Sequence, residues 1–195
     1  MFDTDYKING IYATYWKELC RRQKRKDESE EEYRKVHYKI FNTYMDCYMA
    51  ATVLGIRYGR VGNLVLQENK DDAGMLSEIC IKKAETLKYI YQLVMILENE
   101  RNLSDEEKLE NAFRISEYDE NGNIDEPAAK RIKENMMIFE KYFFGGLEIL
   151  HEAFVEKCIT DDDYIDEIYN FTKRYQDEYS FDDSKEVDID AILKG

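Results

Sequence analysis

The sequence predicts an all-α fold, a bundle-like array of about six helices. Three observations carry that expectation. One proline and nine glycines interrupt 195 residues, so little forbids long helices. Apolar residues recur every three or four positions over most of the chain, the period of a helix with one buried face. Charged residues make up 36% and fall between those positions, as on solvated helix faces.

The elements follow in order. Ile11, Tyr15 and Leu19, with Tyr12 and Trp16 beside them, predict a helix over about 9–26 that ends in the basic run Arg21, Arg22, Lys24, Arg25 and Lys26, where cations suit the negative end of the dipole. Ser29 with Glu32 has the spacing of a capping box. From there Tyr33, Val36, Ile40, Phe41, Tyr44, Cys47, Tyr48, Ala51 and Leu54 predict a second helix over about 30–54, closed by Gly55. Gly55, Gly59 and Gly62 mark 55–63 as a loop carrying Arg57, Tyr58 and Arg60; 64–66 reads as a short extended piece. Leu76, Ile79, Ala84, Leu87, Tyr91, Val94 and Leu97 predict a third helix over about 73–100. It is apolar on most sides from Leu87 to Leu97, the pattern of a central helix.

A fourth, shorter helix starts at Ser104, with Glu107 completing a capping box. Asn121-Gly122 marks a turn within 118–126, and Pro127 opens the longest helix in its first turn. Ile132, Met136, Phe139, Phe143, Leu147, Leu150, Phe154 and Cys158 give that helix one continuous apolar face. Gly145-Gly146 interrupts it at a cost of about 1 kcal/mol per glycine relative to alanine. Either a neighbouring segment passes close there, with Ala50-Ala51 the candidate, or the helix kinks. A last helix over about 161–179 opens on three aspartates. Residues 180–195 read as an acidic tail after one helical domain, 1–179.

Net charge is −14, which argues against a general nucleic-acid binder and allows an acidic surface that fits a basic partner. Cys20, Cys47, Cys80 and Cys158 form no close pair, so buried free thiols in a reducing cytoplasm are expected. The N-terminus lacks the basic and apolar regions of a signal peptide, and no stretch is long and apolar enough for a membrane span.

No reaction is legible. Glu148-x-x-His151 is half of a di-iron carboxylate set; the other histidine, His37, has Arg34 where the second glutamate belongs. His151-Glu152 starts a zincin motif that Val155 breaks. The acidic turn from Asp119 has its glycine at Gly122 and Lys130 in the place of the calcium-binding glutamate. The glycines at 55–62 follow a helix and precede no Lys-Ser/Thr. Neither a metal nor a cofactor is expected. The candidate interaction residues are cationic or aromatic: Arg21, Arg22, Arg25, Arg57, Tyr58 and Arg60.

Two segments carry a resemblance. One is 41–60, with Ala50-Ala51 on a helix followed by Gly55, Gly59 and Arg60. The other is 139–150, with the pattern Tyr142-x-x-Gly145-Gly146-Leu147-x-x-Leu150. Together they resemble the small helical proteins that accompany bacterial Dnd (DNA phosphorothioation) systems. The chain differs in having Phe143-Phe144 where smaller residues are usual. The resemblance implies a non-enzymatic accessory or adaptor role in DNA modification or antiphage defence, with a defence-system subunit as partner. The alternatives left by the residues are a regulator that contacts nucleic acid through the basic side chains, and an acidic inhibitor that mimics DNA.

Overall fold

The structure is a computed structural model that describes residues 2–21, 29, 39–63, 71–118 and 121–178. The chain forms two compact units, Met1–Lys157 and Cys158–Gly195. The expected tail, the Ser29–Glu32 box and the extended piece at 64–66 lie outside the described residues, wholly or in part.

The fold is predominantly all-α. Seven α-helices and one two-stranded sheet occupy the described residues. In the first unit, β1 (Tyr6–Asn9) leads through Gly10 into α1 (Ile11–Leu19). The buried face of α1 is Tyr12, Ala13, Trp16 and Leu19, one position round from the expected Ile11–Tyr15–Leu19 stripe. The helix stops well short of residue 26. Cys20 turns extended, Phe41 N–H donates to the Leu19 carbonyl at 3.1 Å and Arg21 N–H to the Phe41 carbonyl at 2.8 Å. This parallel bridge takes over the backbone groups that another helical turn would use. It also interrupts the expected helix over 30–54, because Phe41 sits in this bridge and 39–43 are not helical.

The second helix, α2 (Tyr44–Tyr58), starts instead at Thr43, whose hydroxyl oxygen accepts from Asp46 N–H at 3.1 Å. It runs on through Gly55. The residue that ends it is Gly59, at φ 60°, with Arg60 N–H on the Gly55 carbonyl at 2.9 Å and Gly59 N–H on the Ile56 carbonyl at 3.3 Å. This is a Schellman closure, so the expected loop at 55–63 is helix to Tyr58.

Residues expected to begin the third helix are a strand. β2 (Asp72–Met75) pairs antiparallel with β1, Tyr6 opposite Met75 and Ile8 opposite Ala73, and Ile8, Ala73 and Met75 are buried. The helical part is two pieces, α3 (Ser77–Lys82) and α4 (Ala84–Leu97), broken at Lys83. α4 is not central. It buries Leu87, Ile90, Tyr91, Val94 and Met95, and exposes Tyr89, Leu93, Ile96 and Leu97.

The expected capping box is present in α5 (Asp105–Leu109): Ser104 accepts from Glu107 N–H, and the Glu107 carboxylate accepts from Ser104 N–H at 2.9 Å. One π-helical turn, Glu110–Arg114, follows. After the Gly122 turn, α6 (Glu126–His151) begins at an Asp125 cap with Pro127 in its first turn and continues as a second π-helical turn, Glu152–Glu156. Its buried face carries Ile132, Phe139, Phe143, Leu147 and Leu150, much as the spacing predicts.

A polar network ties these elements together. The fully buried Glu98 carboxylate, just past α4, accepts from Arg101 Nε at 2.8 Å and Glu100 N–H at 2.8 Å. Arg101 donates to Asn135 of α6 at 2.7 Å, Asn135 donates to the Tyr91 hydroxyl at 2.9 Å, and Tyr91 donates to the Asn111 carbonyl at 3.1 Å. No buried side-chain polar atom among the described residues lacks a partner, which the cost of an unmade buried hydrogen bond demands. In the second unit, α7 (Asp161–Glu178) is capped reciprocally: Thr160 N–H donates to Asp163 at 2.8 Å and Asp163 N–H to the Thr160 hydroxyl at 3.3 Å.

The glycine pair in α6 causes no helix break. A Cβ added at Gly146 lies 1.7 Å from the Ala51 carbonyl oxygen, and one added at Gly145 lies 2.0 Å from the Arg60 carbonyl oxygen. The close approach expected at Ala50-Ala51 is therefore there. Glycine to alanine in an ordinary helix stabilises by about 1 kcal/mol. Here Gly146→Ala is expected to reverse that sign and destabilise by about 3 kcal/mol through overpacking against backbone. Gly146→Leu is expected to cost more. Urea titration of both variants checks this, and an unchanged midpoint contradicts the close-approach account.

Candidate functional site

The two segments that carry the resemblance form one contact. α2 and α6 cross backbone to backbone, each offering glycine to the other's carbonyls. Gly55 of α2 faces Tyr142, where an added Cβ lies 1.9 Å from the carbonyl oxygen, while Gly146 of α6 faces Ala51. Just past α2, Gly62 N–H donates to the Lys141 carbonyl at 2.8 Å. This contact is a consequence of residue size at Gly55, Gly145 and Gly146, because a side chain at any of them meets a carbonyl of the companion segment.

The crossing sets where Arg60 emerges. It leaves the Schellman turn directly over the last turns of α6. Its Nε donates to Glu148 Oε2 at 2.9 Å, and its two terminal nitrogens form a fork on Glu152, one of them at 2.8 Å. Glu148 spends its other oxygen on the Tyr12 hydroxyl, which donates at 2.7 Å and itself accepts from Asn63 N–H at 2.8 Å. Burial and the bond to Glu148 push the Tyr12 phenol up to about 12, so it remains a donor. Next along α6, the His151 ring stacks on Tyr15 at 3.8 Å between centroids. Its Nε2 lies 2.8 Å from Glu18 and its Nδ1 3.2 Å from Glu156. Glu156 is five residues on from His151, and the π-helical turn is what brings residues at that spacing together.

The Glu148-x-x-His151 pair is thus used within the protein, Glu148 on Arg60 and Tyr12, His151 on Glu18 and Glu156. No group of three or more His, Cys, Asp or Glu among the described residues is placed to hold a metal ion. The arrangement works as a clamp: side chains of α1, α2's end and α6 lock the three elements at one end of the crossing. Sequence reasoning missed Tyr12, Glu18, Glu148 and Glu152 as a set. The available signal was the helical spacing of Glu148, Glu152 and Glu156 with Arg60 on the companion segment.

The candidate interaction residues are spread out. Arg21 is exposed where the chain leaves α1, and Arg57 and Tyr58 are exposed on the last turn of α2. Arg60 is held in the clamp, and Arg22 and Arg25 lie outside the described residues. All four cysteines are free and buried; burial and the neighbouring Cys20 push the Cys47 thiol well up. No helix among the described residues is long and apolar enough to cross a membrane. Comparison with known proteins finds no matching family model, curated protein or solved structure.

Two carboxyls, Glu140 of α6 and Glu152 of the π-helical turn that continues it, titrate in opposite senses. The Arg60 fork holds Glu152 below the usual carboxylate range, so its contribution to stability is present above the unfolded value of about 4.3 and is lost as pH falls through the folded value. Glu140 accepts from the Tyr6 hydroxyl at 2.8 Å, but burial, the larger effect, pushes its carboxyl up. Its contribution is present below the unfolded value and is lost as pH rises through the folded one. Glu152→Gln is therefore expected to destabilise at neutral pH by up to about 1 kcal/mol, the pair being partly exposed, with the gap to the parent closing in acid. Glu140→Gln is expected to stabilise at neutral pH, its gap also closing in acid. Thermal melts of both variants across the acid-to-neutral range check the signs.

Proposed function

We propose that this chain is a non-enzymatic accessory subunit of a bacterial DNA-modification or antiphage defence system, acting through protein–protein contacts. The observation that carries this reading is the outer face of α4. Tyr89, Leu93, Ile96 and Leu97 stand at i, i+4, i+7 and i+8 and are 74%, 39%, 37% and 49% exposed. From Tyr89 to Leu97 the helix has no charged residue. A helix apolar on all sides suits burial on all sides, and the described residues cover only one. An uncharged, aromatic-containing centre is also the composition of interface cores.

The resemblance to Dnd-associated proteins supplies the system. Its two segments meet as one interlocked crossing, which supports reading them as a single packing signature. The reading through basic side chains is weakened because Glu148 and Glu152 already neutralise Arg60.

The test is a tagged pull-down from the native host, with and without nuclease, repeated with Leu93→Glu/Ile96→Glu. Both residues are exposed, so the melting temperature is expected to stay within a few degrees of the parent. A stoichiometric, nuclease-resistant partner is expected with the parent and lost with the variant, at least about tenfold in affinity. Equal recovery by both proteins, or partners that vanish on nuclease treatment, contradicts the proposal.

A further inference from the structure

A cleft of about 500 Å³ opens between α3, α4, the N-terminal stretch and the first π-helical turn. From its lining we propose that it binds a small monocarboxylate with an apolar body, such as a medium-chain alkanoate or an arylalkanoate. The size is that of small-ligand sites, which combine apolar walls with a few fixed polar groups.

The walls are Ile81, Ala84, Phe113 and Ile115. Ile81 and Phe113 are 55% and 57% exposed, so the rim also offers apolar surface to a ligand. Tyr91 and Asn111 line the cleft as well and are themselves buried. Both are already held: Tyr91 donates to the Asn111 carbonyl at 3.1 Å, and Arg131 Nε donates to Asn111 Oδ1 at 2.9 Å. These polar groups are therefore fixed in place before any ligand arrives, as a pre-organised site requires. Asn111 and Phe113 come from the π-helical turn, an irregularity that recurs at functional sites.

Charge selects the ligand. Lys88 lines the cleft on α4, and among the described residues it makes no hydrogen bond or ion pair. Asp3, the acid on the lining, is already partnered. An unpaired ammonium beside apolar walls, with no arginine fork on the lining, suits one carboxylate better than a phosphate. The cleft shares no lining residue with the clamp at Arg60 or with the outer stripe of α4, so this site is independent of the adaptor reading.

Calorimetric titration of the full chain with octanoate and 4-phenylbutyrate, and with octanol as the uncharged control, tests the site. Saturable 1:1 binding of the acids is expected, tighter than about 1 mM. Lys88→Met, at an exposed position, is expected to weaken the acids about tenfold and leave octanol unchanged. Ala84→Phe, which fills the cleft, is expected to abolish both; a melt confirms that the variant is folded. Vesicles of phosphatidylglycerol distinguish a lipid source of the same amphiphilic anion chemistry. The proposal is overturned by absence of saturable acid binding, by equal loss of acid and alcohol in Lys88→Met, or by binding to vesicles but not to the free acids. Undiminished binding in folded Ala84→Phe also overturns it.

Discussion

Where α2 crosses α6, two helices touch through their backbones. Gly55, Gly145 and Gly146 each bring a Cα against a carbonyl of the companion segment, so close that an added methyl group overlaps it. At this separation dispersion contacts and Cα–H···O approaches replace side-chain interdigitation. The surrounding core depends on that separation. Phe143 reaches Tyr48 and Trp16, with centroids 4.6 and 5.3 Å apart, and Phe144 stacks on Tyr12 at 4.2 Å. Two large aromatic residues precede the glycines because the glycines bring the helices close enough for both rings to be buried on different neighbours.

The polar groups around α6 follow from the same constraint. At its C-terminal end, Arg60, Glu148, Glu152 and Tyr12 satisfy one another only because the Schellman turn of α2 ends above α6. Toward its middle, Asn135 joins the chain of hydrogen bonds that runs from Glu98 to Asn111. Partly exposed ion pairs such as the Arg60 fork contribute little each. Their larger effect is to fix register and orientation, since only one arrangement pairs every group. Function on this account belongs to what the crossing leaves outside: a charge-free stripe on α4 and a cleft beside it.

Much of this was legible from residue spacing. The 3.6-residue period located α2, α4 and α6, the run of aspartates located the start of α7, the Ser104–Glu107 box located α5, and the glycine pair announced a close approach that the crossing with Ala51 supplies. The failures share a cause. Period and propensity are local, and the overruled segments are those where distant backbone groups compete. Cys20 and Phe41 pair with each other, which ends α1 and keeps Phe41 out of α2. Residues 73–75 stand just ahead of a helical stripe that begins at Leu76, yet Ala73 and Met75 alternate and are buried opposite Ile8 and Tyr6 in a strand. Gly55 and Gly59 look alike in sequence, but one is needed for contact and the other for its positive φ. The cluster at His151 was invisible because its members come from three elements, and its i+5 pair belongs to a π-helical turn that a 3.6-residue period does not contain.

The most direct measurement is native-state amide hydrogen exchange across Ala51–Tyr58 and Tyr142–Leu150. If the crossing holds the first unit together, both segments exchange only through global unfolding, with the same opening free energy and the same denaturant dependence. If either segment opens alone, at lower free energy and with a shallower denaturant dependence while the other remains protected, the crossing is not the constraint on which the fold rests.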